Sequence, residues 1–283
     1  MRTNFLLGLV ASLAVVAATP ALAQDMGADA PFSGLYVAAS GGYDVQGNDV
    51  GSRLIFDRNG DFTFNDGVTL ATPAGADAFS PGFCNGRAQG VTPGTPCEND
   101  RNKGSYYGRV GFDIQRGSFV FGALGEFGRT AIKDYVSGFS TTPASYTFSR
   151  GVDWEASGRL RAGIAQGNGM FYATGGVGYT RIKHRFTTSN TANSFATLID
   201  DRDKFGFIVG GGAEYRIMQN VSIGLEYTYH DYKDGQYYVR VSRGTAPATN
   251  PFVRAPDFTG TTITRADDNF RWHSLRAVVG FHF

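Results

Sequence analysis

Two glutamates, Glu126 and Glu226, invite a chemical reading first, because a pair of carboxyl groups at a set separation is what acid/base cleavage of a glycosidic bond requires. Both lie in alternating segments rich in arginine, and glutamate in that setting belongs more readily to a charge network than to a catalytic pair. His273 adjoins Ser274, but neighbours in an extended segment point to opposite faces. The four histidines, His184, His230, His273 and His282, show no spacing that specifies a Ser-His-acid triad. Asp57, Asn59 and Asp61 copy the opening of a calcium loop, yet Phe62 stands where that loop needs glycine, so turn chemistry is expected there. Gly175-Gly-Val-Gly178 and Gly210-Gly-Gly212 lack the following helix of a phosphate loop. No catalytic, cofactor or metal site is therefore expected. Cys84 and Cys97, the only cysteines, are separated by twelve residues. A zinc site would need further ligands that the segment lacks, whereas a disulfide in an exported chain would stabilise it by roughly 3 kcal/mol.

The elements that must carry these residues are strands. From 152 to 166, Trp154, Ala156, Gly158, Leu160, Ala162 and Ile164 alternate with Asp153, Glu155, Ser157, Arg159, Arg161 and Gly163. Similar alternation marks segments near 33–45, 104–115, 118–129, 169–184, 204–217, 220–233 and 269–283, each long enough for a tilted strand to cross hydrocarbon. In the last of them Phe283, Phe281, Val279, Ala277 and Leu275 share one face, and His282, Gly280, Val278, Arg276 and Ser274 the other. Tight turns at 115–118, 166–169 and 217–220 alternate with long polar connections near 46–103, 130–151, 185–203 and 234–268. The expected fold is all-β: an eight-stranded antiparallel up-and-down transmembrane barrel with short periplasmic turns and long extracellular loops.

The N-terminus agrees with export. Arg2, an apolar stretch from Phe5 to Ala18 and the small-x-small run Ala21-Leu22-Ala23 compose a signal peptide over 1–23, with no cysteine after it for a lipid anchor. A short periplasmic segment, 24–32, would precede the barrel domain, 33–283. Without Arg2 the basic residues number 25 against 25 acidic, so charge gives no argument for nucleic acid as a partner. Glycine (39 residues), phenylalanine (23) and tyrosine (14) with 18% charged residues suit a narrow barrel with aromatic girdles, and Tyr36, Tyr106, Phe119, Phe127, Tyr179, Tyr215 and Tyr227 are placed in those girdles.

A soluble carrier barrel is the rival arrangement, with Leu160 and Ile164 inside around an apolar ligand and Arg159 and Arg161 in water. In the membrane arrangement the lumen receives Asp44, Arg109, Asp113, Glu126, Glu155, Arg159, Arg161, Glu214, Glu226 and Arg276. Eight strands leave an interior just wide enough for such side chains, and opposite charges there pair and fill it. A narrow solute channel is the alternative.

Phe119-Val-Phe-Gly-Ala-Leu-Gly-Glu-Phe-Gly128, Gly158-Arg-Leu-Arg-Ala-Gly163, Phe171-Tyr-Ala-Thr-Gly-Gly-Val-Gly-Tyr179, Gly210-Gly-Gly-Ala-Glu-Tyr215, Ser222-Ile-Gly-Leu-Glu-Tyr-Thr-Tyr229 and Val279-Gly-Phe-His-Phe283 resemble, in order, signature strands of the small opacity-type outer-membrane β-barrel family of proteobacteria, relatives of the OmpA and OmpX barrels. The resemblance implies a monomer-sized surface protein, embedded among outer-membrane lipid and lipopolysaccharide. It also implies insertion by the outer-membrane assembly machinery, which reads a last strand ending in Phe, here with Phe283, Phe281 and Val279 on its apolar face. The 46–103 segment is longer than the family's usual first loop, and no peptidoglycan-binding domain follows the last strand. Lipid A-modifying barrels supply an enzyme alternative.

Within the first loop, Arg53 to Asn65 is expected to form a hairpin around Asn59-Gly60, and Pro73 to Pro96 to bury no core of its own. The fourth loop, with Pro247, Pro251 and Pro256, is expected to be mobile, with Tyr237, Tyr238, Val239 and Val241 extending strand seven. The expected function is non-enzymatic: envelope structure and contact with an extracellular ligand through the external loops.

Overall fold

A computed structural model describes residues 30–47, 52–254 and 260–283; the expected signal peptide and Pro256 lie outside the described residues. The strands are β1 (Gly34–Val45), β2 (Leu54–Asp57), β3 (Gly82–Asn85), β4 (Lys103–Arg116), β5 (Phe119–Thr130), β6 (Lys133–Ser140), β7 (Ala144–Gln166), β8 (Gly169–Thr188), β9 (Ser194–Asp200), β10 (Asp203–Arg216), β11 (Val221–Lys233), β12 (Tyr237–Ser242), β13 (Thr261–Arg265) and β14 (Asn269–His282).

Strands β1, β4, β5, β7, β8, β10, β11 and β14 pair antiparallel in chain order, and β1 closes on β14 with Tyr36 opposite His282 and Asp44 opposite Ser274. Closure leaves this barrel without an edge, as a structure in hydrocarbon must be. Its outer face is apolar: Leu160 is 69% exposed, Phe171 75% and Phe205 73%. Such exposure is tolerable only against lipid, and it is the reverse of a carrier with an apolar interior. From Ile164 to Trp154 along β7 the outward face rises about 33 Å along the strand, or about 25 Å after tilting, the height of an apolar membrane band. The tight turns include Gly117 and Gly167, both at positive φ. Both described chain ends lie at this same rim.

Among the described barrel strands the register of pairing shifts once. A bulge between Val152 and Trp154 leaves Asp153 outside, paired with Lys183 at 2.7 Å, and turns Val152 and Arg150 inward above it. The expectation that Asp153 shares the lumen face of Glu155 therefore fails, because one extra residue resets the parity of everything beyond it. Tyr36 is also corrected: it is buried in the lumen rather than lying in a girdle.

Above the bulge the loops are folded. β7 and β8 continue past the barrel, β6 pairs with β7, and β3 with β6; opposite them β2, β13, β12 and β9 form a second sheet. Between the two sheets lies a hydrophobic core that includes Leu54, Phe56, Phe79, Tyr146, Phe148, Val239, Val241, Phe252 and Ile263. Three expectations fall here. Tyr237, Tyr238, Val239 and Val241 belong to β12 in this second sheet and do not extend strand seven, and the described part of the fourth loop is packed. β2 pairs with β13, not with its own downstream segment, so 53–65 is a turn without a hairpin. Ala78 and Phe79, inside the Pro73–Pro96 stretch, help form the core. In each case a long-range partner supplied burial that no local pattern contained.

Candidate functional site

The lumen is a stack of layers, each set by strand register. At the periplasmic end Phe32 is fully buried and packs with Val120, Ala165, Met170 and Tyr172, its amide donating to Gln115 Oε1 at 3.0 Å. Next, Arg161 of β7 pairs with Asp113 of β4 and, at 2.9 Å, with Glu214 of β10; Glu214 also meets His282 at 3.1 Å. Arg161 lies under the rings of Tyr36 and Tyr172, at 4.6 and 5.2 Å. Gly111 makes room for Tyr36, since a Cβ there would enter the ring.

At the centre, Glu126 and Glu226 share two arginines, and Glu126 binds a third. Arg109 meets Glu126 at 2.6 Å and Glu226 at 2.5 Å, Arg159 meets them at 3.2 and 3.1 Å, and Arg276 meets Glu126 at 3.0 Å while lying 3.7 Å from the Tyr107 ring centre. Tyr172 donates to Glu226 at 2.8 Å. Asp44 accepts from Ser105 at 2.8 Å and lies 4.0 Å from Arg276. All ten lumen charges expected from parity lie inside the barrel, and the structure brings them into this one connected stack.

Higher still, Glu155 accepts from Tyr232 at 2.5 Å and Tyr107 at 2.8 Å, and His230 Nδ1 lies 2.8 Å from it. The other ring nitrogen of His230 faces Thr228 at 2.9 Å and Ser274 at 3.3 Å. Ser274, His230 and Glu155 thus form a Ser-His-Glu line that the sequence spacing did not specify, because the three residues sit on β14, β11 and β7. The line has no route for a substrate: Ser274 is 1% exposed, Trp272 stacks on His230 at 4.7 Å, and the hydroxyl competes with Thr228 for one nitrogen. His273 points outward to Tyr227, away from Ser274. An apolar layer of Ile132, Val152, Ile182, Tyr232, Phe270 and Trp272 covers the charges.

A second polar set lies between that layer and the loop core. Arg150 pairs with Asp134 at 2.5 Å and with Asp267 at 2.9 Å, Arg265 with Asp134 at 2.7 Å, and His184 bridges Asp200 and Asp234, each at 2.8 Å. His184 therefore stands outside the membrane, where only His230 and His273 were expected near the outer rim. Burial alone would raise the Asp134 carboxyl, but Arg265 and Arg150 outweigh it and hold the group below the ordinary carboxylate range. Asp57 accepts from the Gly60 and Phe62 amides, so its carboxylate organises the turn. Cys84 of β3 and Cys97 are joined as a disulfide, with Cα atoms 6.5 Å apart. Phe283, Phe281 and Val279 all face outward at the periplasmic end of the last strand.

Residues 9–283 match the family described as "Outer membrane protein beta-barrel domain". The chain belongs to that family. Members are outer-membrane proteins, and this chain is one by sequence, by its apolar outer wall and by closure. Among curated proteins it is similar to the 31 kDa outer-membrane immunogenic protein of Brucella melitensis, 37% identical over 81 residues, or 28% of this chain and 33% of that one. It is also similar to the 22 kDa outer membrane protein of Rhizobium leguminosarum bv. viciae, 28% identical over 49% of this chain and 58% of that one. The match thus spans a third of the Brucella protein's length and just over half of the Rhizobium protein's. Among solved structures, OprG of Pseudomonas aeruginosa aligns over 89% of this chain and 97% of its own with TM-score 0.48 and 12% identity. Ail of Yersinia pestis aligns over 89% and 99% with TM-score 0.34 and 11% identity.

Proposed function

We propose that this chain is a non-conducting, non-catalytic outer-membrane barrel that supports the envelope and makes surface contacts through its folded extracellular cap. The observation that carries this reading is a lumen filled by paired charges and covered at both ends by buried apolar layers, beneath loops that share a core of their own. A side-chain-filled lumen supports a scaffold role, because conduction needs a continuous hydrated path. Loops held by a common core form a rigid surface, and rigid display lowers the ordering cost of binding. The Brucella relative is named for being immunogenic, and the cap is the part of this chain that antibodies would meet. The partners in this reading are outer-leaflet lipid, the assembly machinery that reads Phe283, and an extracellular ligand.

Purified barrel reconstituted in planar bilayers is expected to leave the current at baseline, and stepwise conductance would refute the closed lumen. For contact, cells expressing the chain are tested on an array of glycans and matrix proteins beside cells expressing Val239→Asp, which disrupts the cap core. Binding by the wild type alone supports the reading. Equal binding by wild type, variant and empty cells sinks it.

A further inference from the structure

A cleft of about 730 Å³ opens in the outer wall where β5 ends and β6 begins, beside the Asp153 bulge. Its cause is local: β5 leaves its partner β7 after Gly128–Glu155, β6 takes over at Lys133–Gly151, and the bulge displaces the backbone between them. Arg129, Lys133, Lys183, Arg185 and Arg202 line it, and Asp153 is the one acidic side chain in the lining. Lys183 is held by Asp153 and Arg202 by Asp200. Arg150 in the lining is already saturated by its buried aspartates. Arg129, Lys133 and Arg185 are exposed; Arg129 adds to the field at Asp153, whose hydrogen bond goes to Lys183, and Lys133 and Arg185 have no acidic partner among the described residues.

Height above the membrane gives this charge its meaning. Phe127, Trp154, Tyr179 and Phe205 form a continuous aromatic belt with ring centres 4.7–5.9 Å apart along β5, β7, β8 and β10. Arg129 lies two residues above Phe127, about 7 Å along the strand, and Arg185 lies six residues above Tyr179, about 20 Å. Cations in that range stand at the level of lipid head groups, over a belt that fixes the interface.

We propose that this cleft is a lipopolysaccharide site that seats a phosphorylated lipid A head group, with Arg129, Lys133 and Arg185 on its phosphates and the aromatic belt against its acyl chains. Ammonium and guanidinium groups suit phosphate oxygens, and a cleft lined by several of them converts a diffuse attraction into a seated contact. The site is independent of what the cap binds.

The test uses the full mature chain refolded in zwitterionic micelles, with Trp154 in the belt as the fluorescence probe. It is titrated with bisphosphorylated lipid A, with lipid A stripped of phosphate, with phosphatidylglycerol and with inorganic phosphate. Saturable binding of bisphosphorylated lipid A is expected, weakened about 30-fold in Lys133→Glu/Arg185→Glu. It is expected to be unchanged in Arg116→Glu/Lys233→Glu, which reverses two exposed charges away from the cleft. Both variants must retain the gel-mobility shift of a folded barrel; should the first lose it, Arg185→Gln is read in its place. Absence of binding, equal weakening by both doubles, or equal affinity for the dephosphorylated lipid would overturn the site. Phosphatidylglycerol binding as tightly would make it a general anionic surface, and displacement by inorganic phosphate a free-anion site; either result rejects the lipopolysaccharide assignment.

Discussion

Replacing Glu226 by glutamine isolates the lumen's ionic design. Glu226 accepts from Arg109 at 2.5 Å, Arg159 at 3.1 Å and Tyr172 at 2.8 Å. Glu226→Gln keeps length and volume but removes the charge that two guanidiniums face. Arg159 must then depend on Glu126, which already serves Arg109 and Arg276. The ten lumen charges at the heart of the stack comprise six carboxylates and four arginines, so the loss is one of local pairing rather than of overall balance. Removing one partner of a buried pair destabilises by about 3–5 kcal/mol, a change of about a hundredfold to a few thousandfold in the folded-to-unfolded ratio. Equilibrium urea unfolding in lipid vesicles reads this, with Glu98→Gln as control. Glu98 pairs with Arg101 and Arg87 in solvent, so its loss should be far smaller than that of Glu226 and shrink further in salt. A Glu226→Gln effect below about 1 kcal/mol, or one that fades with salt as the control does, would mean the lumen is hydrated and the closed-barrel reasoning is wrong.

Further expectations follow from burial and charge. Leu160→Arg places a guanidinium in hydrocarbon at about 2–4 kcal/mol and should reduce outer-membrane yield far more than Ser157→Arg, which points into the lumen beside Glu126, its register partner on β5; equal yields would refute the facing. The folded Asp134 carboxyl titrates below its unfolded value of about 3.9, so its contribution is present above about pH 5 and is lost as pH falls through the lower folded value. Protease cleavage of the cap should therefore rise only below about pH 4, and in Asp134→Asn it should be high already at neutral pH. Ser274 should resist fluorophosphonate labelling in the folded barrel; labelling that Ser274→Ala abolishes would reopen the enzyme reading. Cys84→Ser should loosen the first loop by about 3 kcal/mol, seen as faster proteolysis near 84–97, while the barrel's gel shift is unchanged.

Period-two alternation located all eight barrel strands because each wall residue must choose between lipid and a packed lumen, and the arginines made a slipped register costly. β4 ran true from Ser105 to Gln115, and β14 from Phe270 to His282. The same parity that sent Asp44 inward also sent Tyr36 inward; its aromatic type near a strand end obscured that. Asp153 went wrong because a bulge leaves no mark in composition. Ser274, His230 and Glu155 were each legible as lumen residues, but their meeting depends on the order of strands around the barrel. The cap was the largest gap. Tyr146 and Phe148 continue the alternation of β7 backward, and Tyr237, Val239 and Val241 alternate in the fourth loop, yet bilayer thickness set the expected strand length and the partners lay far away in sequence.

The pairing of β2 with β13 puts Phe56 beside Ile263, so the first external loop is completed by the fourth. Translocation order then becomes part of the fold. Whichever loop crosses first leaves its apolar residues uncovered, Leu54, Phe56 and Phe79 on one side or Val239, Val241 and Ile263 on the other, until the second has crossed. Antibodies raised against a single loop peptide would meet this waiting form rather than the finished surface, whose epitopes are assembled from stretches about two hundred residues apart.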